Sequence, residues 1–328
     1  MLRIDRRTFC GGGLAAGLMP AFTSLRALAE DSYPSRPVHL VVGFPPGASM
    51  DITARMLGNG MSQILGQQFV IDNKPGAASS IAAEYAAHAA NDGYTLFVGS
   101  SANITNQAIN PGLPFDMLRD FAPIAPVANV NVVLVVNPAI NVHSVAELIA
   151  LAKSKPGEVL YASVGIGSAP HLAAELFSQR AGVKLVHVPY QGSPQAVADL
   201  IAGRTMMMFS PASSVIGQIE AGKLIGLASA TRTRASMLPN LPTMMEAGVT
   251  DFDTGLWFAL LAPKGTPTAM IDKLAAAAQK AIHTPEAMEG LRKQGIDPLS
   301  GGPDDLKHYM QTELARWSDV ARAAGLKS

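Results

Sequence analysis

A short apolar strand, a glycine-containing turn and an amphipathic helix follow one another three times in this sequence, and no other feature constrains the fold as strongly. The first copy spans residues 38–65, where an apolar run ends at Gly43 and at the tripeptide Pro45-Pro46-Gly47. A helix then begins near Ser49 or Asp51, two residue types that favour the N-cap position. Such a unit offers unpaired backbone N–H groups and the positive end of a helix dipole, so it predicts an anion site.

The two later copies repeat this order of strand, turn and helix. In residues 160–177 the turn is Gly165-Ile166-Gly167-Ser168, and in residues 186–200 Gly192 precedes a helix that begins near Ser193. One such turn is weak evidence, because most strand–helix turns in α/β proteins bind nothing. Three of them can converge on one cleft, since ligands of open α/β sheets lie at the carboxyl ends of the strands.

The order of elements along the chain predicts two α/β lobes. Strands and helices alternate over residues 38–99 and again over residues 145–229, which favours mostly parallel sheets flanked by helices. Residues 132–136 and 256–261 are apolar runs that we expect to cross between the lobes as strands. The Asn- and Pro-containing residues 100–120 predict irregular structure.

The length of the chain agrees with two domains. Its 328 residues, 48% of them hydrophobic, are enough for two globular cores. We expect one lobe of residues 30–131 plus 255–328 and a second lobe of residues 132–254. The two crossings, near residues 131 and 254, would then act as a hinge around a cleft.

The first 29 residues are predicted to be an export signal. Arg3, Arg6 and Arg7 precede a long uncharged run, and Ala27-Leu28-Ala29 offers a small-residue cleavage site. The segment Asp5-Arg6-Arg7-Thr8-Phe9 resembles a twin-arginine signal. A retained membrane anchor is the alternative, but the glycine content and the cleavage site favour removal and a periplasmic protein.

Charge and cysteine content exclude several classes of protein. The chain has 25 basic and 25 acidic residues and no basic patch, which argues against a nucleic-acid binder. Without the signal, which holds four arginines and Asp5, 21 basic and 24 acidic residues remain. The only cysteine, Cys10, also lies in the signal, so the mature chain has no disulfide and no cysteine nucleophile.

The motifs of common enzymes are absent from the sequence. Its seven histidines have no metal-ligand spacing, and there is no Walker A motif and no GxSxG nucleophile elbow. The Gly165-Ile166-Gly167 turn lacks the third glycine of a dinucleotide fingerprint. We therefore predict no metal, no cofactor and no enzymatic activity.

Some residues near the three turns have a simpler structural interpretation. His171 is interpreted as a structural histidine in preference to a ligand contact, and Asp51 with Arg55 as a surface ion pair that also caps the helix. Trp257 and Phe258 on the second crossing strand either line the cleft or fill the core, and the sequence favours neither.

At the level of whole motifs, the chain from Tyr33 onward resembles the Bug family, the extracytoplasmic solute receptors of tripartite tricarboxylate transporters. The resemblance covers nearly all of the mature chain. It rests on Gly43-Phe44-Pro45-Pro46-Gly47 with Asp51 and Ala54-Arg55, Asn73-Lys74-Pro75-Gly76-Ala77, Asp92-Gly93-Tyr94-Thr95-Leu96, Asp120-Phe121-Ala122-Pro123, Tyr161-Ala162-Ser163, His187-Val188-Pro189-Tyr190, Ala221-Gly222-Lys223-Leu224 and Ala262-Pro263.

The resemblance implies a fold, a ligand class and partners. The fold is a two-lobed periplasmic binding protein of type II-like, Venus flytrap form, and the ligand is a small organic acid bound through backbone N–H groups and ordered waters. The partners are membrane transporter subunits, no nucleic acid is bound, and a monomer is expected. The candidate ligand-binding residues are Phe44, Pro46, Gly47, Ala48, Ser49, Ser101, Asn103, Gly165, Ile166, Gly167, Ser168, His171, Gln191, Gly192 and Ser210.

The identity of the carboxylate stays open at the level of sequence. Ile166, Ala169-Pro170, Gln191 and Ser210-Pro211 differ from the residues common in the family, and they predict a less polar pocket that leaves room for an aromatic or monocarboxylic acid. A receptor that signals to a sensor protein is the alternative function. A hydrolase is a third, although its nucleophile motif is missing.

Overall fold

Two β-sheets flanked by helices form the body of the protein in this computed structural model, which describes residues 33–110, 112–166, 168–190, 192–323 and 325. The strands are β1 (Val38–Val42), β2 (Phe69–Asn73), β3 (Thr95–Ser100), β4 (Phe121–Val130), β5 (Val132–Val136), β6 (Val159–Ser163), β7 (Leu185–Pro189), β8 (Met207–Pro211), β9 (Ile225–Ser229), β10 (Leu256–Pro263) and β11 (Ile296–Pro298). The α-helices are α1 (Ser49–Leu65), α2 (Ser80–Ala87), α3 (Ser101–Ile109), α4 (Val145–Ser154), α5 (Ala169–Ala181), α6 (Ser193–Ile201), α7 (Ala212–Glu220), α8 (Thr268–Ile282), α9 (Pro285–Arg292) and α10 (Pro303–Ala323).

Both sheets mix parallel and antiparallel strands, and the α/β class is confirmed. The first sheet has the order β11-β4-β10-β3-β1-β2 and the second the order β7-β6-β8-β5-β9. The strands of the βα units pair in parallel, β1 with β2 and β3, and β6 with β7 and β8. The strands β5 and β10, which arrive from the other sheet, pair antiparallel with their neighbours. The expected parallel character therefore holds for the βα units only.

The strand register shows where the chain passes between the sheets. In the first sheet Phe258, near the start of β10, pairs with Ser100 at the carboxyl end of β3. In the second sheet Val132, at the start of β5, pairs with Pro211 at the carboxyl end of β8. A single residue, Asn131, joins β4 to β5. The carboxyl edges of the parallel strands of both sheets therefore lie at the crossing, where ligands of α/β sheets bind.

Hydrogen bonds hold the two crossing segments together. The N–H of Thr254 donates to the carbonyl of Ala230 at 2.8 Å, and the N–H of Ala230 donates to the carbonyl of Val132 at 2.8 Å. The side chain of Asn131 donates to a carboxylate oxygen of Asp297 at 2.8 Å. The chain thus passes between the sheets at Asn131 and again between β9 and β10, and backbone hydrogen bonds join these two passages.

The two crossing strands are also the most buried strands. All five residues of β5 are buried, as a continuous apolar run predicts for a strand covered on both faces. Trp257 and Phe258 on β10 are 1% and 2% exposed, so both fill the core and neither lines the cleft. The indole N–H of Trp257 reaches the carboxylate of the buried Glu313 at 3.5 Å.

The expectation of irregular structure over residues 100–120 is wrong for the helix α3, and the strand β4 that follows was not predicted. The helix α3 begins after Ser100, which forms a reciprocal capping box with Asn103. Polar side chains of α3 form hydrogen bonds within the fold; for example, Asn106 donates to the hydroxyl of Ser80. Because these residues are polar, the sequence did not indicate a helix here. The strand β4 tolerates Pro123 and Pro126 because the register with β10 shifts beside them. The three-residue strand β11 was also missed.

No helix in the part of the chain that the structure describes is long and apolar enough to cross a bilayer.

Two helical glycines give opposite predictions for the same substitution. An added Cβ at Gly60 in α1 would lie 2.7 Å from the Cβ of Ala281 in α8, so Gly60→Ala should force the helices apart and destabilise the protein by about 1–3 kcal/mol. An added Cβ at Gly217 in α7 meets no atom within 4 Å, so Gly217→Ala should stabilise the protein by up to about 1 kcal/mol. Chemical denaturation of both variants measures the two signs, and equal effects would contradict the close helix contact.

Candidate functional site

The N-terminus of α1 is an uncapped helix end at the carboxyl edge of the first sheet. Its N-cap residue, Ala48, has an extended backbone and no side chain that can accept from the first turn. Gly47 before it is exposed and has a φ of 84°, a conformation that favours glycine. The N–H groups of the first turn of this 17-residue helix have no intrahelical partner, so they are available to an anion.

The buried carboxylate of Asp51 fixes the shape of this turn. It accepts hydrogen bonds from the backbone N–H of Gly47 at 2.9 Å, from Arg55 at 2.9 Å and from Asn73 at 2.9 Å. Asn73 also donates to the carbonyl of Phe44 at 3.0 Å. Burial acts to raise the pKa of Asp51, but the bonds from Arg55, Gly47 and Asn73 outweigh it, and the pKa is lowered.

The sequence had suggested a surface ion pair between Asp51 and Arg55, and that interpretation is wrong in one respect. The ion pair exists, at 2.9 Å, but the Asp51 side chain is only 2% exposed whereas that of Arg55 is half exposed. The carboxylate is therefore a structural anchor of the turn, with its charge balanced by Arg55.

A strained segment after β2 forms the second part of the site. Ala77, Ala78 and Ser79 have φ values of 47°, 51° and 75°, which are unfavourable for residues with a Cβ. Ser79 is 1% exposed, and its hydroxyl has no hydrogen-bond partner among the described residues. A Cβ added at Gly43 would lie 1.8 Å from that hydroxyl oxygen, so only glycine fits there. The side-chain amide of Asn103 donates to the carbonyl of Ser79 at 3.4 Å.

The turns after β1, β2 and β3 thus meet at Gly43, Ser79 and Asn103. Ser79 was absent from the sequence-based candidates. Positive φ angles are ordinarily signalled by glycine, and the serine gives no such signal.

In the second sheet, the turn between β6 and α5 is braced by side chains beneath it. The hydroxyl of Ser163 lies 2.6 Å from Nε2 of His187, and it accepts from the backbone N–H of Gly165 at 3.1 Å. The hydroxyl of Ser168 donates to the carbonyl of Gly165 at 2.6 Å. Ile166 lies at the tip of this turn and is 74% exposed.

A stack of three rings lies under the braced turn. The ring of His187 lies 4.9 Å from that of Tyr161 and 4.1 Å from that of His171, and the hydroxyl of Tyr161 donates to Glu175 at 2.6 Å. Burial lowers the pKa of His171. Burial, followed by the charge of His171, lowers the pKa of His187 to about 4, so both histidines are neutral at pH 7.

Ser163 and His187 lie as close together as a catalytic nucleophile and its base, but the side chain of Ser163 is not exposed. Ser163 is fully buried, and its hydroxyl is engaged with both His187 and Gly165. The pair therefore supports the turn and offers no accessible nucleophile. No group of three metal-ligating side chains occurs among the described residues.

The remaining candidate residues fall into two groups. Phe44, Ala48, Ser49, Gly165, Ser168 and Gly192 are half-buried, and Pro46 and Gly47 are exposed, so a ligand can reach them. Ser101, Asn103, His171 and Ser210 are buried, with Asn103 and Ser210 fully so. Gly167 and Gln191 lie outside the described residues, as does the predicted export signal.

The side chains of Ser210 and Asn103 are fully buried. Asn103 is committed to the capping box and to the carbonyl of Ser79. Ser210 lies in β8, paired with Val133 of the crossing strand. The burial of both residues depends on packing against segments distant in sequence, which the sequence does not reveal.

The two α/β sheets have their carboxyl edges at a short crossing, and an uncapped helix N-terminus lies on that edge. This arrangement is that of a two-lobed solute-binding protein. Solved structures agree with this class. Rpa4515 of R. palustris, solved with adipate, is 37% identical, with a TM-score of 0.71, over 89% of this chain and 98% of its own. MatC from Rhodopseudomonas palustris with bound malate is 30% identical, with a TM-score of 0.69, over 88% of this chain and 99% of its own.

The sequence comparisons identify the family. The model of the tripartite tricarboxylate transporter family receptor, TctC, matches residues 53–326. Protein BugT of Bordetella pertussis is 36% identical over 302 residues, which cover 92% of this chain and 93% of the relative. The chain belongs to the tripartite tricarboxylate transporter receptor family, and the resemblance to Bug proteins is confirmed.

The neutral His187 makes stability depend on pH. Its pKa of about 4 lies below the value of about 6.5 in the unfolded chain, so the unfolded state binds more protons between these limits. Stability should be complete above pH 6.5 and should fall as the pH decreases toward 4. His187→Gln removes this titration, so the slope of unfolding free energy against pH should become shallower by up to about 1.4 kcal/mol per pH unit.

Denaturant titrations of both proteins from pH 8 to pH 4 measure the two slopes. His171, whose pKa is also lowered, and Glu175 face the same stack and remain in the variant. Identical slopes would show that His187 is not held neutral by the fold.

Proposed function

We propose that this protein captures a small organic carboxylate between its two sheets for a transporter of the tripartite tricarboxylate type. The observation that carries the proposal is the uncapped first turn of α1 with its exposed Gly47. Backbone N–H groups and a helix dipole favour a carboxylate there, by up to about 2 kcal/mol in a partly buried site. The relatives solved with adipate and malate support the same ligand class.

The proposed setting is the periplasm, with membrane transporter subunits as partners. Residues 1–29 would be removed on export, and a mature protein that retains them would contradict this. A monomer is sufficient for the proposed site, because both sheets come from one chain. Among the described residues no feature favours the signalling or hydrolase alternatives.

We further propose that residues 30–131 plus 255–328 move as one lobe against residues 132–254. The short crossing at Asn131 and the segment around Thr254 would absorb the motion. A ligand can drive closure only by binding the closed state more tightly. Small-angle scattering at saturating ligand should therefore give a smaller radius of gyration, and an unchanged radius with a ligand of measured affinity would refute closure.

The anion site is tested most directly at Ala48. In Ala48→Asp a new carboxylate would occupy the N-cap and accept from the amides that the ligand needs, and it would repel the ligand's own charge. We expect binding to weaken at least tenfold, which corresponds to about 1.4 kcal/mol. The fold should persist, because the capping gain of about 0.5–2 kcal/mol offsets repulsion from the nearby Asp51.

Lys153→Asp is the matched control for this experiment. Lys153 is exposed in the last turn of α4, on a helix of the second sheet, and its charge is screened from the cleft. Its variant should bind within about twofold of the parent. Calorimetric titration with adipate and malate, with melting curves for both variants, decides the matter. A folded Ala48→Asp protein that binds as tightly as the parent would remove α1 as the anion site.

A further inference from the structure

We propose that a contact behind the crossing holds the cleft open and thereby sets the affinity for the ligand. This back contact consists of Gly295 and Asp297, at β11 of the first sheet, against Ser213, Ser236 and Met237 of the second proposed lobe. The inference rests on the proposed function, and in particular on the proposed closure of the two lobes around the crossing.

The order of the strands places the back contact on the far side of the crossing from the anion site. In the first sheet β11 is an edge strand, and β4 and β10 separate it from β3, β1 and β2. The chain passes between the lobes at β4 and β10, whereas the anion site follows β1. When two lobes rotate about a hinge, they separate on one side as they approach on the other. Closure of the cleft must therefore pull the back contact apart.

At the back contact the two lobes pack without space for a further side chain. Gly295 is buried, and an added Cβ there would lie 2.9 Å from the sulfur of Met237 and 3.2 Å from the Cβ of Ser213. Its φ of 69° also favours glycine. The turn before β11 therefore lies in direct contact with α7 and with the loop that follows β9.

Hydrogen bonds to one carboxylate add to this packing. Asp297 accepts from the side-chain amide of Asn131, the residue that joins the lobes, at 2.8 Å, and from the backbone N–H of Ser236 at 3.4 Å. The backbone N–H of Asn131 donates to the carbonyl of Gly295 at 3.1 Å. The side-chain oxygen of Asn131 is buried without a hydrogen-bond partner among the described residues. Because such burial costs free energy, the back contact is weak enough for a ligand to break.

The cleft is open in the structure that holds the back contact. Pro45, Pro46 and Gly47, which lead into the first turn of α1, are exposed, and closure over a ligand would cover them. The back contact therefore belongs to the open state. The apparent affinity of a ligand is reduced by the fraction of molecules that are not in the competent state, so weakening the back contact should strengthen binding. Ordinary damage to the fold has the opposite effect.

The first variant, Asp297→Ala, removes both hydrogen bonds to the carboxylate. We expect adipate or malate to bind about threefold more tightly or better in calorimetric titration, because a larger fraction of the protein is closed. The ligand-free variant should nevertheless melt at a lower temperature than the parent. Asp297→Asn keeps an acceptor oxygen, so its affinity should lie between those of Asp297→Ala and the parent.

Asp92→Ala is the matched control. It removes the same charge, together with a bond from Arg36 at 3.0 Å and one from the backbone N–H of Tyr94 at 3.1 Å. All three of these residues lie in the first proposed lobe, so the loss should leave the balance between open and closed states unchanged. Tighter binding by Asp92→Ala equal to that of Asp297→Ala would overturn the proposal.

A second variant acts by volume and does not depend on the hydrogen bonds. Ser213 faces Gly295 from the first turn of α7, so Ser213→Phe should push the back contact apart and strengthen binding in the same direction. Ser214→Phe is its control, because Ser214 is the next residue of the helix and is also exposed. If Asp297→Ala fails to fold, Ser213→Phe decides the matter.

Distances in the ligand-free protein separate this proposal from the proposed function. Spin labels at Glu84→Cys in α2 and Gln195→Cys in α6, both exposed positions, report the separation of the lobes when Cys10 is replaced by serine. Without ligand, Asp297→Ala and Ser213→Phe should show more of the short distance than the parent.

Parental distances with unchanged or weaker binding would overturn the back contact and leave carboxylate capture intact. If neither adipate nor malate binds the parent, carboxylate capture of this kind fails, and the ligand-free distances alone decide on the back contact.

Discussion

Each sheet receives the chain from the other at its carboxyl edge, and this constraint organises the molecule. A strand that enters at that edge must run against the βα strands already there, which explains why β10 pairs antiparallel with β3 and β5 with β8. Both arriving strands have a neighbour on each side, so they are buried and apolar. The same geometry brings helix N-termini from both sheets to the crossing, because every βα unit begins its helix at the carboxyl end of its strand.

The turns at the carboxyl edges of the two sheets are held in place by different groups. On the first sheet, Asp51 organises the turn internally and leaves the amides at the start of α1 without a side-chain cap. On the second sheet, the polar groups of Ser163 and Ser168 are spent on bracing their own turn, and the rings beneath it are neutral. The two turns are therefore held in different ways, one by a buried carboxylate and the other by hydroxyl groups above neutral rings.

Periodicity and turn chemistry predicted much of this arrangement. The three βα units, a helix that begins near Ser49 or Asp51 and the buried run of β5 follow from local patterns that need no tertiary information, although the N-cap residue is Ala48. The helix α3 and the strand β4 were missed, since polar and proline residues there are tolerated only through partners elsewhere, such as the shifted register against β10. At the site, the open turns were foreseen, but the burial of Ser210 and the strained Ser79 depend on packing between segments distant in sequence.

The hydroxyl of Ser163 has one proton, and two acceptors lie within its reach, the imidazole of His187 and the carbonyl of Gly165. When the imidazole nitrogen is bare, the proton can point to it; when that nitrogen carries its own proton, the hydroxyl can rotate toward the carbonyl. The heavy atoms keep their positions in either arrangement, and the N–H of Gly165 still donates to the same oxygen. Ser163 can therefore keep its bonds to Gly165 in either protonation state of His187, so acidification lowers the stability of the fold and leaves the shape of the turn between β6 and α5 unchanged.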